Sequence, residues 1–429
     1  MDSISLEQNP LLKTTVLARP EELPADKKPT VSLHLLVKNG ESCVGRLIDS
    51  VGPYINEIVA VVNDTTDSTI AILREKADLY QLKLDIVEVT ATTHPELYIL
   101  DVPETYQTGA SLIGEVFDGP FTGRPLLADW AGARNLGWGR CTSEWRLFLD
   151  ADDVVRDPYA IPGLCLALKE HDIELACTRY QYNFAPNGQS QGDSYRERLA
   201  RNVPNIEWVG LTHEGLKGQK HSAHIDGNLI VCDMKDSQGA GIRVPGRCFK
   251  ILYHHARECD WRVSPRVLVY MAMECKLTMP ALAKAVIELY LKHSTWPEER
   301  AWACAMRGEI YEVAEDFDLA SKWYQKSLGE HPGAKSAFRL CRSRFREGKW
   351  REAYDAYELG LANKSVMQLL DNGPVYEDAS KILVVSCLRK MGRYPEAIKM
   401  CKAAIEAFPT NTILKEMMSD MTDLRARHE

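Results

Sequence analysis

The sequence predicts an α/β sheet domain followed by an all-α domain of helical repeats. Three features predict it: short apolar runs alternating with helical segments over residues 31–89, an acidic cluster closing another apolar run in "WRLFLDADD", and a self-similar helical pattern after about Gly246. A chain of 429 residues, 45% of them hydrophobic, has room for two or three buried cores.

The elements follow in order. Residues 1–29 are polar and broken by Pro10, Pro20, Pro24 and Pro29, which reads as a flexible tail. "VSLHLLV" from Val31 is a run of the kind a parallel sheet buries on both faces. A helical segment ("ESCVGRLIDSVGPY"), a strand ("EIVAVV"), a helix ("DSTIAILREKADLYQ") and a strand ("KLDIVEV") complete a βαβαβ alternation. Ligands of such sheets sit outside the C-terminal ends of the strands. From Thr90 to about Ala128 the chain is rich in Gly, Pro and Thr, and is long enough to be a functional lid or a disordered connection. "WAGARNLGWGRC" reads as a helix leading into the strand "EWRLFLDADD", then "IPGLCLALKEH" as a helix, "ELACTRYQYNF" as a strand and "IEWVGLTHEGL" as a strand and turn. The sheet domain is expected over 30–245 and the helical domain over 246–429.

In the second half, Phe317, Trp350 and Tyr394 each stand three residues before an alanine. Ala320 and Ala353 are 33 residues apart, and Ala397 lies 44 further on, consistent with an insertion around "NKSVMQLLDNGP". The first spacing is close to the roughly 34-residue tetratricopeptide period. Gly308, Tyr311, Ala320, Tyr324 and Pro332 fall at its small, aromatic and helix-ending positions. Small residues let paired helices approach and aromatics fill the space between pairs. An ordinary helical bundle is the plainer alternative.

Charge and composition exclude several classes. A formal net charge of −8 gives no global footprint for a polyanion, so nucleic acid is not the default partner. No apolar run approaches the roughly 18 residues that cross a bilayer, and the N-terminus lacks the pattern of a signal peptide. A cytoplasmic protein without membrane contact is expected. The 12 cysteines contain no CxxC pair and read as reduced core residues. "HSAH" and "HHAREC" are too isolated to predict zinc.

The chemistry concentrates in "LDADD". Residues two apart on a strand share a side, so Asp150 and Asp152 can face one ligand where the strand gives way to a loop. Like charges so close repel unless water or a cation lies among them. Mn²⁺ and Mg²⁺ take carboxylate oxygens and are often shared with substrate phosphates. Alone, an Asp-x-Asp triplet is weak evidence, because Asp is also a common helix cap.

The surrounding blocks resemble glycosyltransferase family 2, whose members have the GT-A fold. "LLVKNGESCVGRLIDSV" resembles the opening strand and helix, with Lys38, Asn39 and Glu41 at motif positions. "NEIVAVVNDTTDST" resembles the second strand and its turn, including Thr66, Asp67 and Thr69. "ADWAGARNLGWGRCTSEWRLFLDADD" resembles the block joining an Ala-Arg-Asn helix to the metal motif, carrying Asp129, Arg134, Asn135, Asp150 and Asp152. "WVGLTHEGL" resembles the Gly-x-x-His-Glu block, giving His213 and Glu214. The subgroup with appended tetratricopeptide-like helices, which includes bacteriocin S-glycosyltransferases, is similar in layout.

The resemblance implies a metal-dependent transfer of a sugar from a nucleotide sugar to an acceptor, with inversion at the anomeric carbon. A peptide or protein is the favoured acceptor. Nucleotide-sugar contacts are expected at Lys38, Asn39, Glu41, Asp67, Arg134, Asn135 and Asp150. The family's nucleotide-contacting Asp falls at Val62, so Asn63 and Asp64 are its candidate substitutes. Metal contacts are expected at Asp150 and Asp152, with His213 and Asp233 competing as third ligand. Glu214 is the first choice for the base that takes the acceptor proton and Asp153 the second.

Plainer roles stand beside these. Glu214 can be a structural partner for an Arg, Arg134 a surface ion pair, Asp67 and Thr69 a helix cap, and Trp130, Trp138, Trp145 and Trp208 core residues. Two other readings also remain. One is a catalytically dead domain with helical repeats that bind a peptide, and the other is a transferase acting on modified bases in DNA. Under the enzyme reading the helical half positions acceptors or pairs two subunits.

Overall fold

A computed structural model describes residues 3–5, 28–100, 105–107, 116–118, 125–184, 188, 190–225, 227, 229–234, 246–363, 373–407 and 412–428. Most of the expected tail, the middle of the 90–128 segment and the 364–372 insertion lie outside them. The chain forms a mixed α/β sheet unit of GT-A-like topology, which closes at Ile251, and a helical-repeat unit from Leu252 onward.

The first unit starts with β1 (Val31–Val37), α1 (Val44–Val51), β2 (Glu57–Asn63), α2 (Thr69–Tyr80) and β3 (Lys83–Val89). After short strands within 98–127 come β4 (Trp145–Phe148), which follows α3 (Trp130–Trp138), then β5 (Asp153–Val155), and β6 (Leu175–Phe184) after α4 (Ala160–Glu170). The last are β7 (Ser190–Arg201), β8 (Glu207–Val209), β9 (Gly215–Lys217), β10 (Ser222–Ile225) and β11 (Val231–Asp233). Ser3–Ser5, inside the segment read as a tail, pairs in parallel with β10.

Across the main sheet the order is β10-β6-β7-β4-β1-β2-β3. β1, β2, β3 and β4 are parallel, while β7 is antiparallel to both β4 and β6. The chain winds outward from β1 to β3 and then returns to the other side of β1. Such a reversal opens a crevice outside the carboxyl ends of the two strands at the switch point, here β1 and β4. Those ends carry Lys38 and Asp150.

The apolar patterning explains the layers. Val31, Leu33, Leu35 and Val37 face one side, packed with Leu47 and Ile48 of α1, Leu73 of α2 and Leu164 of α4. Leu36 faces the other side with Ala133 of α3. Each such side chain contributes about 2 kcal/mol when fully buried. Gly137 has a specific task in α3: a Cβ there would stand 2.7 Å from both His34 and Val61, so only glycine lets this helix lie on β1 and β2. Arg134 is one turn earlier on the same helix.

In the second unit, α5 (Pro297–Val313) and α6 (Phe317–Glu330) pair, as do α7 (Ala334–Arg346) with α8 (Trp350–Ala362) and α9 (Gly373–Lys390) with α10 (Tyr394–Ala407). Phe317, Trp350 and Tyr394 are thus the first residues of the second helix in each pair. Ala320, Ala353 and Ala397 are fully buried, as tetratricopeptide-like packing requires. A Cβ at Gly308 would lie 2.6 Å from the Tyr324 ring, so close approach of α5 and α6 depends on that glycine. The cysteines described are all free thiols, and most are buried. No helix among the described residues is long and apolar enough to cross a membrane.

Candidate active site

The carboxyl end of β4 continues into the turn 149–152. The Asp153 amide donates to the Asp150 carbonyl at 3.0 Å, and the Asp150 amide donates to Asp153 Oδ2 at 2.9 Å, closing the turn on itself. The Asp152 carbonyl accepts the Met234 amide at 3.1 Å, which ties the turn to the end of β11. Asp150 is left partly open, its side chain 39% exposed.

Two arginines converge on Asp150. Arg134 Nη2 reaches Oδ1 at 3.3 Å from α3, and Arg198 Nη1 lies 3.7 Å from Oδ2, coming from β7. Arg134 Nε also donates to Glu214 Oε1 at 2.6 Å. Its guanidinium stands 4.2 Å from the centroid of Phe148 and 5.1 Å from that of Trp208, and its side chain is buried. One rigid fork therefore links the two acids expected to do different jobs. A guanidinium suits this because it is planar, permanently charged and weakly hydrated.

Glu214 is delivered by the β8–β9 hairpin. Asn135 holds that hairpin: its Nδ2 donates to the Trp208 carbonyl and its Oδ1 accepts the Trp208 amide, both at 2.9 Å. Asn135, expected to contact the nucleotide, braces the hairpin in this structure. His213 stands in the turn before Glu214 with φ +54°. Asp233, at the end of β11, is the register partner of Asp153. Among the described residues, no three of Asp150, Asp152, His213 and Asp233 bring donor atoms to within a common coordinating distance.

Asp153 departs from the role of a base. It is fully buried, so no acceptor can meet it, and burial pushes its pKa up, to about 7, against the pull of Arg198 3.1 Å away. It is an internal anchor.

The expected nucleotide contacts at the ends of β1 and β2 are gathered into one brace. Asn39 Oδ1 accepts the Thr66 amide at 2.9 Å, Glu41 Oε2 the Ser68 amide at 3.1 Å, and Asp67 Oδ2 the Glu41 amide at 3.0 Å. Asp67 Oδ1 also accepts the Thr69 amide at 3.0 Å at the start of α2. Its pKa is lowered: desolvation pushes it up, but the hydrogen bonds from Thr69 and Glu41 outweigh that. Lys38 pairs with Asp64 at 3.1 Å on the surface. Asn63 is buried, and its Oδ1 accepts the Tyr98 hydroxyl at 2.6 Å. Asn39 and Asp64 hold φ near +49° and +45°, a conformation costing roughly 1–2 kcal/mol for residues other than glycine. Such strain clusters where a loop must present a particular surface.

Of the tryptophans, Trp138, Trp145 and Trp208 are buried, and Trp138 Nε1 donates to the Ile206 carbonyl at 2.9 Å. Trp138 and Trp208 pack with Phe148 under the site, while Trp145 packs in the core on the other side of the sheet. Asp129 caps α3 through the Gly132 amide at 2.8 Å. Sequence reasoning missed Arg198 and Tyr98. Arg198 lies 48 residues from Asp150, in a charged stretch, "YRERLAR", that gives no sign of which arginine turns inward.

Residues 127–221 match the family described as Glycosyl transferase family 2. The match runs from α3 through the acidic turn to the Glu214 hairpin, which are the parts that converge on Asp150. No curated protein matches the chain. Among solved structures, S. aureus TarS 1–349 in complex with UDP-GlcNAc is 12% identical, with 80% of this chain and 95% of that one covered at a TM-score of 0.36. In a longer TarS structure the chain spans 54% of that protein's length. MamA is 16% identical over 40% of this chain and 95% of its own, at a TM-score of 0.32. YrrB, a TPR protein with an unusual peptide-binding site, is 14% identical over 42% of this chain and 85% of its own, at 0.35.

Proposed function

We propose that this chain is a cytoplasmic, metal-dependent glycosyltransferase that moves a sugar from a nucleotide sugar to a peptide or protein acceptor with inversion. The observation that carries the reading is the chain Glu214–Arg134–Asp150 at the switch point of the sheet, inside the segment that matches the family. The acidic balance of the protein favours a peptide over a nucleic-acid acceptor.

Arg134 pairs with Asp150 and Glu214, and Arg198 with Asp150 and Asp153. Asp150 and Asp152 offer the carboxylate oxygens that a hard divalent cation takes. Such ions are held by one or two carboxylates with substrate phosphates completing the shell. Asp150 and Asp152 would hold the ion, with His213 or Asp233 as third ligand, and when bound it supplies charge neutralisation for the departing nucleoside diphosphate.

The chain's own residues do the rest. Glu214 accepts the acceptor's proton as its nucleophile attacks the anomeric carbon. Arg134 orients that carboxylate through its 2.6 Å bond to Oε1. The buried aromatic face of Phe148, Trp138 and Trp208 keeps water from the back of the arginine, where its electrostatic pull is strongest.

The test is hydrolysis and transfer with a panel of nucleotide sugars, with and without Mn²⁺. Turnover that needs the metal and disappears in Asp152→Ala supports the reading. No binding of any nucleotide sugar would favour a helical-repeat adaptor instead.

A further inference from the structure

Arg198 is the residue whose role the reaction has not yet used. β7 runs antiparallel to β4 with Ala200 opposite Arg146 and Leu199 opposite Leu147. Continuing that register brings Arg198 beneath the start of the acidic turn. Its side chain is 3% exposed. Nη2 lies 3.1 Å from Asp153 Oδ2, and Nη1 donates to the Phe148 carbonyl at 3.4 Å. The guanidinium carbon stands 5.0 Å from the Phe148 ring centroid and 4.7 Å from that of Tyr180. These contacts leave the fork little freedom to turn.

The geometry forms a relay. The same Asp153 oxygen that Arg198 holds also accepts the Asp150 amide at 2.9 Å. Arg198 therefore acts on Asp150 twice: on its main chain through Asp153, and on its side chain by charge from the Oδ2 side, opposite Arg134 on Oδ1. We propose that Arg198 is a positioning residue for the transferase reaction, fixing the Asp150 carboxylate in its working orientation before the donor arrives. The proposal rests on the transferase reading above. Its physical basis is that a misplacement of about 1 Å in a reacting constellation can cost on the order of 100-fold in rate. A lysine carries the same charge without the planar fork.

Three variants of the full chain test it: Arg198→Lys, Arg198→Met, and Arg198→Met combined with Asp153→Asn. The double variant removes both buried charges, so no unpaired carboxylate burdens the fold. Melting temperature, hydrogen exchange at the amides of 148–153, and kcat and KM for Mn²⁺-dependent nucleotide-sugar hydrolysis are read together. The double variant should melt near the wild type, exchange faster at the Asp150 amide, and lose about 100-fold in kcat while KM changes by less than about threefold. Arg198→Lys should recover only part of kcat. A folded double variant with wild-type exchange at Asp150, or with kcat within about threefold of wild type, overturns the proposal while leaving the transferase reading intact. Should the double variant not fold, Arg198→Lys decides on the same readouts. A wild type that turns over no nucleotide sugar sinks the transferase reading, and the proposal with it.

Discussion

The two ends of the sheet treat buried charge in opposite ways. At the amino end, Glu57 begins β2 and is 1% exposed. It accepts the Thr142 amide at 2.8 Å, the Thr142 hydroxyl at 2.9 Å and the Ser32 hydroxyl, and pairs with Lys83 at 2.7 Å. Desolvation alone would raise its pKa, but the bonds from Lys83, Ser32 and Thr142 hold it below the usual carboxylate range. At the carboxyl end, Asp150 is partly open and divides two arginines with Glu214 and Asp153. A fully satisfied carboxylate is a structural pin. A partly open carboxylate that shares its arginines with other acids is the arrangement the proposed cation site uses.

Substitutions should separate the two ends. The largest effect is expected at the open end: Asp150→Ala or Asp152→Ala should cost about 10³-fold in kcat, measured as metal-dependent release of sugar, with little change in melting temperature. Glu214→Gln should come next, with a loss of about 10²-fold or more in transfer to acceptor. Gln keeps an oxygen for Arg134, so the fold should hold and donor binding should remain. Glu57→Gln should reverse the pattern, leaving kcat near wild type and lowering stability by about 2 kcal/mol in a denaturant titration.

Acid unfolding sharpens the contrast further. Glu57 has a folded pKa below its unfolded one. Its stabilisation is full above the unfolded value of 4.5 and is lost as pH falls through the lower folded value, so Glu57→Gln should flatten that part of the acid limb. A second pH window belongs to His34, fully buried against Trp138 and Phe148. Burial, helped by Arg134 and Arg146, lowers its pKa from 6.5 to about 3. The unfolded chain takes up a proton below 6.5 that the folded chain refuses until about 3, so stability falls across that window. His34→Phe should make unfolding less pH-dependent there.

How much of this was legible in the sequence depended on whether the physics was local. The βαβαβ opening was legible because "VSLHLLV" and "EIVAVV" are predominantly apolar, as strands buried on both faces tend to be. The acidic turn was legible because Asp150 and Asp152 follow a strand by a fixed count. In the helical half, Phe317, Trp350 and Tyr394 marked helix starts because paired helices repeat their contacts at a fixed spacing. Long-range pairings were not legible. Arg198 meets Asp153 only through the β4–β7 register, and "SYRERLAR" shows alternating charge rather than an apolar strand. Asp153 read as a base because its identity suits one, whereas its burial, which rules that out, is a tertiary fact. Asn135 likewise spends its amide on Trp208, 73 residues away.

The central claim is that the open carboxylates at the end of β4 bind a cation together with a nucleoside diphosphate. Calorimetric titration of a panel of nucleoside diphosphates with Mn²⁺ tests it most directly, in the wild type, Asp150→Ala and Glu57→Gln. Saturable, Mn²⁺-dependent heat in the wild type and in Glu57→Gln, absent in Asp150→Ala, is the predicted result. Equal binding by Asp150→Ala, or no binding by the wild type, would contradict it.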